Sequence, residues 1–438
     1  MVNMDAEDPK DSKKVLKKNI FWQYLLQIAI YVFPFITLPY LTRVLGPDEY
    51  AVRAYSISVI NLFVTFIDFG CTAYGTREIA RHRGDRELVR KITSTIFLQR
   101  LVLAAVGAGI LFAVMPAIPV MAANPEYMLI AYFGAVLTAM LPDFVFQGLE
   151  DMSILTKRFV VSRLVSLVLI FAFIKGPDQL VLVAVFEAVP ALIAFVWSWI
   201  EVVMKRKITL SIKLLELKES LSVLKTSAIF FLSSASTTIF TNLTTVMIGI
   251  YIVNQADISY WSIAAMCISM VQSLYNPIYN SVYPHVVARR DFSIIKKFLI
   301  LGTPVVVVGS IALVFLSPFV MWVLGGPEYL DGSIVLQLLT PVLIFSYPTV
   351  LIGYPILAVL NKEKLLTTAS VSAALFHIAG LVTLALTGNF TIVNVALLRC
   401  ATELVMLALR IVFVYRCRDL MAASKQEIER LARQEHQQ

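Results

Sequence analysis

A handful of ionisable side chains interrupt stretches that are otherwise apolar: Arg53, Asp68, Arg100, Asp143, Arg163, Glu187, Arg399, Glu403 and Arg410. Within a bilayer such a charge costs about 2.5–3.5 kcal/mol at the helix centre on insertion scales, so it marks a functional or structural need. Arginine presents a planar fork of donors that fits phosphate or carboxylate. Arg53, Arg100 and Arg399, if they border water, make a cationic cavity suited to an anionic substrate. Asp68, Asp143 and Glu187 are the matching candidates for carrying a coupling proton or sodium ion.

Local alternatives compete with that assignment. Arg399 and Glu403 are four apart, on one helix face, and can pair with each other. Arg100 and Asp143 fall towards the inner ends of antiparallel neighbouring runs and can also pair. Arg163, Arg410 and Glu150 lie near the cytoplasmic edge, where long side chains snorkel. Arg53 lies near the outer edge and follows an acidic turn, Asp48-Glu49.

Other chemistries have little to stand on. Cys71, Cys267, Cys400 and Cys417 lack the C-x-x-C spacing of a zinc or redox site. His82, His285, His377 and His436 are scattered, so no metal site is expected; His377, inside an apolar run, reads as an interhelical hydrogen-bonding residue ahead of a proton site. There is no G-x-x-x-x-G-K-[ST] loop and no nucleophile constellation, so neither an enzyme nor a cofactor is expected.

The elements that must position these charges are membrane helices. The chain is 58% hydrophobic and 15% charged, against about a quarter charged in a soluble domain. Apolar runs fall at about 19–42, 51–72, 92–115, 127–149, 159–175, 179–203, 226–253, 258–283, 297–324, 333–360, 365–387 and 391–415. That is about twelve spans, each near the twenty residues that cross a bilayer. Gly46-Pro47, Asn124-Pro125, Gly176-Pro177, Gly326-Pro327 and Gly388-Asn389 supply turn chemistry between them. The first two runs, split by Gly46-Pro47-Asp48, read as a transmembrane hairpin.

Every second break is basic. One side receives Lys10, Lys13, Lys14, Lys17 and Lys18, then Arg77 to Lys91, Lys157 and Arg158, Lys205 to Lys225, Arg289 to Lys297, Lys362 and Lys364, and the tail from Arg416. The opposite breaks hold almost only Arg43 and Lys175. The positive-inside rule then puts both termini in the cytoplasm. It also accounts for the net charge of +8 without nucleic acid. The first run is too long for a signal peptide and reads as a retained helix.

The longest inner connection carries Leu214, Leu217, Leu221 and Leu224 at helical spacing among charges, an amphipathic segment at the interface. The expected organisation is a cytoplasmic segment 1–18, a first lobe 19–203, a linker 204–225, a second lobe 226–415 and a charged tail 416–438. The halves look related. Asn124-Pro-Glu-Tyr127 is matched by Gly326-Pro-Glu-Tyr329, and Tyr55-Ser-Ile57 by Trp261-Ser-Ile263, at nearly the same displacement. An even number of spans per half makes the repeats parallel, with a pseudo-two-fold axis along the membrane normal. Pro34, Pro39, Pro142, Pro277, Pro341, Pro348 and Pro355 place kinks within spans. The fold class is therefore all-α, a bundle of two six-helix lobes with a polar interior, and the class of function is transport.

Three stretches carry a family likeness. Tyr40-Leu-Thr-Arg-Val-Leu-Gly-Pro-Asp-Glu-Tyr50 resembles the first-hairpin signature of bacterial polysaccharide flippases, in the superfamily that also holds the multidrug and toxin extrusion exporters. Gly75-Thr-Arg-Glu-Ile-Ala80 is similar to a second signature, and Phe146-Gln-Gly-Leu-Glu-Asp151 to a third. Arg53 departs from the family, where a small or aromatic residue is more usual. The resemblance implies alternating access between two lobes in the bacterial cytoplasmic membrane. It implies a central cationic cavity for an undecaprenyl-pyrophosphate-linked repeat unit whose prenyl chain stays in lipid. Partners would be that lipid-linked oligosaccharide, membrane lipids, a coupling H+ or Na+, and glycan polymerases. Two rival expectations are a multidrug/cation antiporter of the same fold, which would favour acidic groups and would leave Arg53 and Arg100 salt-bridged or lipid-facing, and a membrane glycan polymerase. A polymerase or glycosyltransferase would need a large outer loop or an acidic catalytic site, and neither is evident.

Overall fold

The computed structural model describes residues 9–211, 217–252, 254–275, 278, 282, 286, 290–360 and 362–421. Leu214 of the expected amphipathic segment, residues 422–438 of the tail, Asn276, Pro277, Asn280, His285 and Arg289 lie outside the described residues. Every assigned element among those described is helical. The chain divides into two compact units, Met1–Thr238 and Ile239–Gln438.

The first unit opens on α1, Pro9–Asp68, helical on both sides of Gly46. Gly46 has φ 75° and ψ 175°, a region open essentially to glycine alone, and Pro47 starts the next helical stretch with its φ already set. There follow α2 (Cys71–Arg81), α3 (Arg86–Val114), α4 (Pro119–Ala123), α5 (Pro125–Ala139), α6 (Asp143–Gly148), α7 (Met152–Phe173), α8 (Leu180–Ile200) and α9 (Leu217–Thr238).

Contacts show that the chain reverses at Gly46. Along the first arm, the Trp22 carbonyl accepts from Thr156 (2.8 Å), Phe33 meets Phe159, and the Tyr40 hydroxyl donates to the Ile174 carbonyl (2.6 Å). That arm runs in the same direction as α7. On the second arm Ser56 meets Met128 (3.1 Å) and Phe63 packs edge-on against Tyr132, so it runs with α5. α7 and α8 are antiparallel, since Ser166 reaches Phe186 and Arg158 reaches Ser198. α5 runs with α8, with Gly134 against Ala188 and Trp199 bonded to Met140. The two arms of α1 are thus antiparallel, the hairpin that the Gly-Pro turn dictates.

Phe69 and Gly70, both at positive φ, break α1 from α2. A methyl group on Gly70 would meet the Ser227 carbonyl of α9 at 2.4 Å, so only glycine permits that approach. Phe69 stacks on Phe231, and Gln99 bonds the Ser220 carbonyl (2.5 Å). These contacts hold α9 within the first unit.

The second unit comprises a π-turn Ile239–Leu243, α10 (Thr244–Tyr251), α11 (Gln255–Ser273), α12 (Ser293–Gly325), a 3-10 turn Pro327–Gly332, α13 (Ser333–Leu339), α14 (Pro341–Leu357), α15 (Glu363–Leu386) and α16 (Ile392–Arg416). Side-chain caps start three of the long helices: Asp85 on α3, Asn254 on α11 and Thr391 on α16.

Among the described residues, seven helices are long and apolar enough to cross a membrane, or eight with the bent pair Pro327–Leu339 and Pro341–Leu357, which turns by 41°. One of the seven, Phe21–Asp68, has 48 residues. It contains both hairpin arms. Large apolar side chains face outward along these helices, as on α12, where Leu301, Val305 and Phe315 are 72%, 71% and 80% exposed. Such a surface suits acyl chains, not water.

Candidate functional site

Arg53 sits in the second arm of α1, two turns beyond the Gly46 reversal, and faces α8. Its Nε and Nη2 both donate to one oxygen of Glu187, at 2.8 and 2.6 Å. Its Nη1 donates to the Tyr50 hydroxyl at 3.2 Å, and its guanidinium lies over the Tyr50 ring. The second Glu187 oxygen receives only a long contact, 3.4 Å, from the Tyr127 hydroxyl of α5. The pair is shielded but not sealed, with side-chain exposures of 13% for Arg53 and 21% for Glu187. Arg163 of α7 is exposed, lies over Phe159 and stands about one turn before Ser166, whose hydroxyl donates to the carbonyl of Phe186, the residue before Glu187. No carboxylate forms a salt bridge with Arg163 among the described residues.

Arg100 of α3 is held through its two terminal nitrogens, while its Nε is buried without a hydrogen-bond partner among the described residues. It bonds Asp68 and Thr72, donates to the Leu141 carbonyl at 2.9 Å and lies over Phe144. Its side chain is 2% exposed, against 25% for Asp68. Asp68 also accepts from the Thr72 amide and hydroxyl at the start of α2, where a carboxylate is favoured. Asp143, at the first turn of α6, accepts from Arg158 of α7 at 2.6 Å; the same guanidinium reaches Ser198 of α8 at 2.5 Å. Arg100 and Asp143 therefore do not pair with each other. Each has a nearer partner, because the break at Gly70 brings Asp68 under Arg100 and the short α6 turns Asp143 towards α7.

In the second unit Arg399 and Glu403 of α16 pair at 2.7 Å along one helix face, with Phe240 under the guanidinium. Nearby, His377 of α15 is fully buried, with Nε2 2.7 Å from the Thr244 hydroxyl and Nδ1 2.8 Å from that of Thr402. The Thr402 hydroxyl is 2.8 Å from the Leu398 carbonyl, while Thr244 has a longer 3.2 Å contact to Phe240. The consistent tautomer has Thr244 donating to Nε2 and Nδ1–H donating to Thr402. Arg410, instead of reaching an edge, donates to the Thr349 carbonyl at 2.7 Å.

The second and third sequence signatures meet within the first unit, where α2 packs on α6. Thr76 bonds Gln147 (3.2 Å), and a methyl on Gly148 would meet Ile79 at 2.7 Å. Gly75 is likewise tight against Phe144 and Ile96. Around this knuckle Arg83 pairs with Glu150 and Arg206 with Asp151, both at 2.5 Å. The helical hairpin, the α2–α6 knuckle and the embedded ion pairs form a consistent membrane scaffold, and its signatures have counterparts in known proteins.

A family model described as "Polysaccharide biosynthesis protein" matches residues 16–289. The chain belongs to that family. A relative from Shigella dysenteriae named as an O-antigen transporter is 28% identical over 380 residues, covering 83% of this chain and 91% of the relative. A second, from Escherichia coli K12 and carrying the same name, is 22% identical over 92% of this chain and 97% of its own length. Both relatives are named as transporters, not enzymes. Among solved structures, the fold of this family member is similar to the lipid II flippase MurJ in an inward closed conformation, with TM-score 0.69, 14% identity and coverage of 90% and 87%. It is also similar to an inward-facing multidrug resistance MATE transporter of the MOP superfamily, with TM-score 0.66, 14% identity and coverage of 92% and 96%.

For this family member, the structure brings four of the six sequence-selected charges together as partners: Arg53 with Glu187 and Arg100 with Asp68. Asp143 and Arg399 take other partners. Sequence inspection passed over Arg158, placed at a cytoplasmic break, and over Tyr50, Tyr127, Thr72 and Ser198. One signal was available: Arg158 and Ser162 fall four apart on one face of α7, followed by Ser166.

Proposed function

We propose that this protein flips an undecaprenyl-diphosphate-linked oligosaccharide across the bacterial cytoplasmic membrane by alternating access. The observation that carries the reading is the near full-length match to two proteins named as O-antigen transporters. Two lobes, 19–203 and 226–415, of six spans each would do the moving, with both termini in the cytoplasm. The two arms of α1 supply two of those spans, and α7, rich in basic residues, supplies another. The burial of Tyr55 and Trp261, and of Tyr127 and Tyr329, at matched sequence positions supports a repeat.

Arg53 is the proposed cargo-facing cation of the first lobe, and Glu187 its coupling partner. Arg100 and Arg158 hold helices together through Asp68 and Asp143. Arg399 is a weaker cargo candidate, because its intrahelical partner Glu403 stays beside it in any lobe movement.

A cation or drug antiporter of the same fold is the second reading. It is favoured by one specific observation: Arg53 and Arg100 are both engaged by carboxylates. Deleting the gene in its own host separates the two. The flippase reading expects loss of surface glycan and accumulation of its lipid-linked precursor, with drug susceptibility unchanged. Intact surface glycan with raised drug susceptibility supports the antiporter.

A further inference from the structure

Among the described embedded ion pairs that join two helices, Arg53–Glu187 has the most accessible arginine. Arg399–Glu403 lies within one helix and cannot be drawn apart by helix movement. Arg100 is sealed, with hydrogen bonds to Asp68, Thr72 and the Leu141 carbonyl. Arg158 uses one nitrogen on Asp143 and another on Ser198. Arg53 and Glu187 lie on separate helices, and the arginine is the more accessible one: 13% exposed, against 2% for Arg100 and 6% for Arg158. Like those two, Arg53 grips a single carboxylate oxygen in place of the stronger two-oxygen fork. The other oxygen has only the 3.4 Å contact from Tyr127. The α7–α8 register, set by the Ser166 bond to the Phe186 carbonyl, puts Arg163 near the level of Glu187, a cation with no salt-bridged carboxylate among the described residues.

Resting on the flippase reading, we propose that Glu187 is a resident anion on Arg53 that a cargo phosphate displaces, that Arg163 supplies the second cation for the diphosphate, and that the displaced Glu187 takes up one proton from solvent. The charged and titratable groups around Glu187 are Arg53 and the Tyr50 phenol from α1, the Tyr127 phenol from α5 and Arg163 from α7. A diphosphate diester carries two fixed negative charges. Arg53 and Arg163 match them only when Glu187 is neutral. Once Arg53 is taken, the carboxylate has lost its counter-ion and gained an anionic neighbour. The two phenols remain as hydroxyl groups able to bond either the phosphate or the neutral carboxyl. Cargo and proton thus bind together, and the loaded site carries less net charge than the cargo alone.

The test uses the full chain in lipid nanodiscs and a short-chain prenyl-diphosphoryl sugar, whose diphosphate does not titrate near neutrality. Calorimetric titration in buffers of different ionisation enthalpy counts the protons taken up on binding. Wild type is expected to take up about one proton per probe bound. Glu187→Gln is expected to bind about tenfold more tightly with no proton uptake. Arg163→Ala is expected to lose about tenfold in affinity and Arg163→Lys to recover part of it. Binding by wild type without proton uptake overturns this inference and leaves the flippase reading standing. Unchanged uptake in Glu187→Gln, or unchanged affinity in Arg163→Ala, does the same. Absence of any probe binding by wild type overturns both. The wild-type proton count decides the matter by itself should Glu187→Gln fail to fold.

Discussion

Gly148 rests on Ile79 so closely that an added methyl would meet the isoleucine Cγ2 at 2.7 Å, with the Thr76 carbonyl at 3.2 Å behind it. This contact joins two stretches that lie about seventy residues apart in the sequence. Gly148→Ala must push α6 away from α2. We expect a cost of about 1–3 kcal/mol from overpacking, read as a lower thermal midpoint of the purified protein. Ile79→Ala in the same chain should restore part of the loss; no restoration would show that the contact is not the cause.

Arg100 and Asp68 are a buried pair with unequal exposure. Removing the arginine leaves a carboxylate near the sealed interior; removing the carboxylate leaves a guanidinium with no counter-ion. Either single change is expected to cost about 3–5 kcal/mol. Arg100→Leu should therefore lower the yield of monodisperse protein, and Arg100→Leu with Asp68→Leu should recover it. A normal yield of Arg100→Leu with transport lost would return Arg100 to the cargo site.

Arg53 behaves oppositely in this account. Glu187, 21% exposed, keeps contact with its surroundings and with the Tyr127 hydroxyl when Arg53 is removed. Arg53→Ala is expected to fold with a melting profile near wild type while surface glycan export falls at least about tenfold. Immunoblots of surface glycan beside size-exclusion profiles check both halves of the expectation. Export at the wild-type level would remove Arg53 as a cargo ligand.

The hairpin was legible in the sequence because its cause is local. Gly46 supplies a conformation other residues avoid, Pro47 starts the next helix, and apolar runs on each side set the arm lengths. The embedded charges were legible too, since an ionisable group in a long apolar run is conspicuous. The intrahelical pairing of Arg399 with Glu403 was legible from its four-residue spacing, but the pairings between helices were not. Arg100 and Asp143 looked like partners from depth alone, but helix phase decides which neighbour a side chain meets, and the positive-φ step at Phe69 and Gly70 resets that phase. Arg158 was hidden for a related reason: composition placed it at a helix edge, whereas α6 is so short that Asp143 and α7 lie together.

His377 joins three helices through two threonine hydroxyls. His377→Ala strands buried groups on Thr244 and Thr402 and opens space beside Phe240. Leaving a buried polar group without its partner costs about 1–3 kcal/mol. The expected result is a lower thermal midpoint with transport retained in the folded fraction, measured by thermal unfolding together with export. Full stability with transport abolished would instead assign His377 a direct role in the transport cycle.

The most direct measurement is flipping itself. Purified protein reconstituted into proteoliposomes is given a lipid-linked oligosaccharide, and the fraction reachable from outside by a glycan-modifying enzyme is followed in time. Wild type should move the lipid between leaflets, Arg53→Ala should not, and a heat-inactivated sample should match empty vesicles. Wild-type proteoliposomes indistinguishable from empty vesicles would contradict the account.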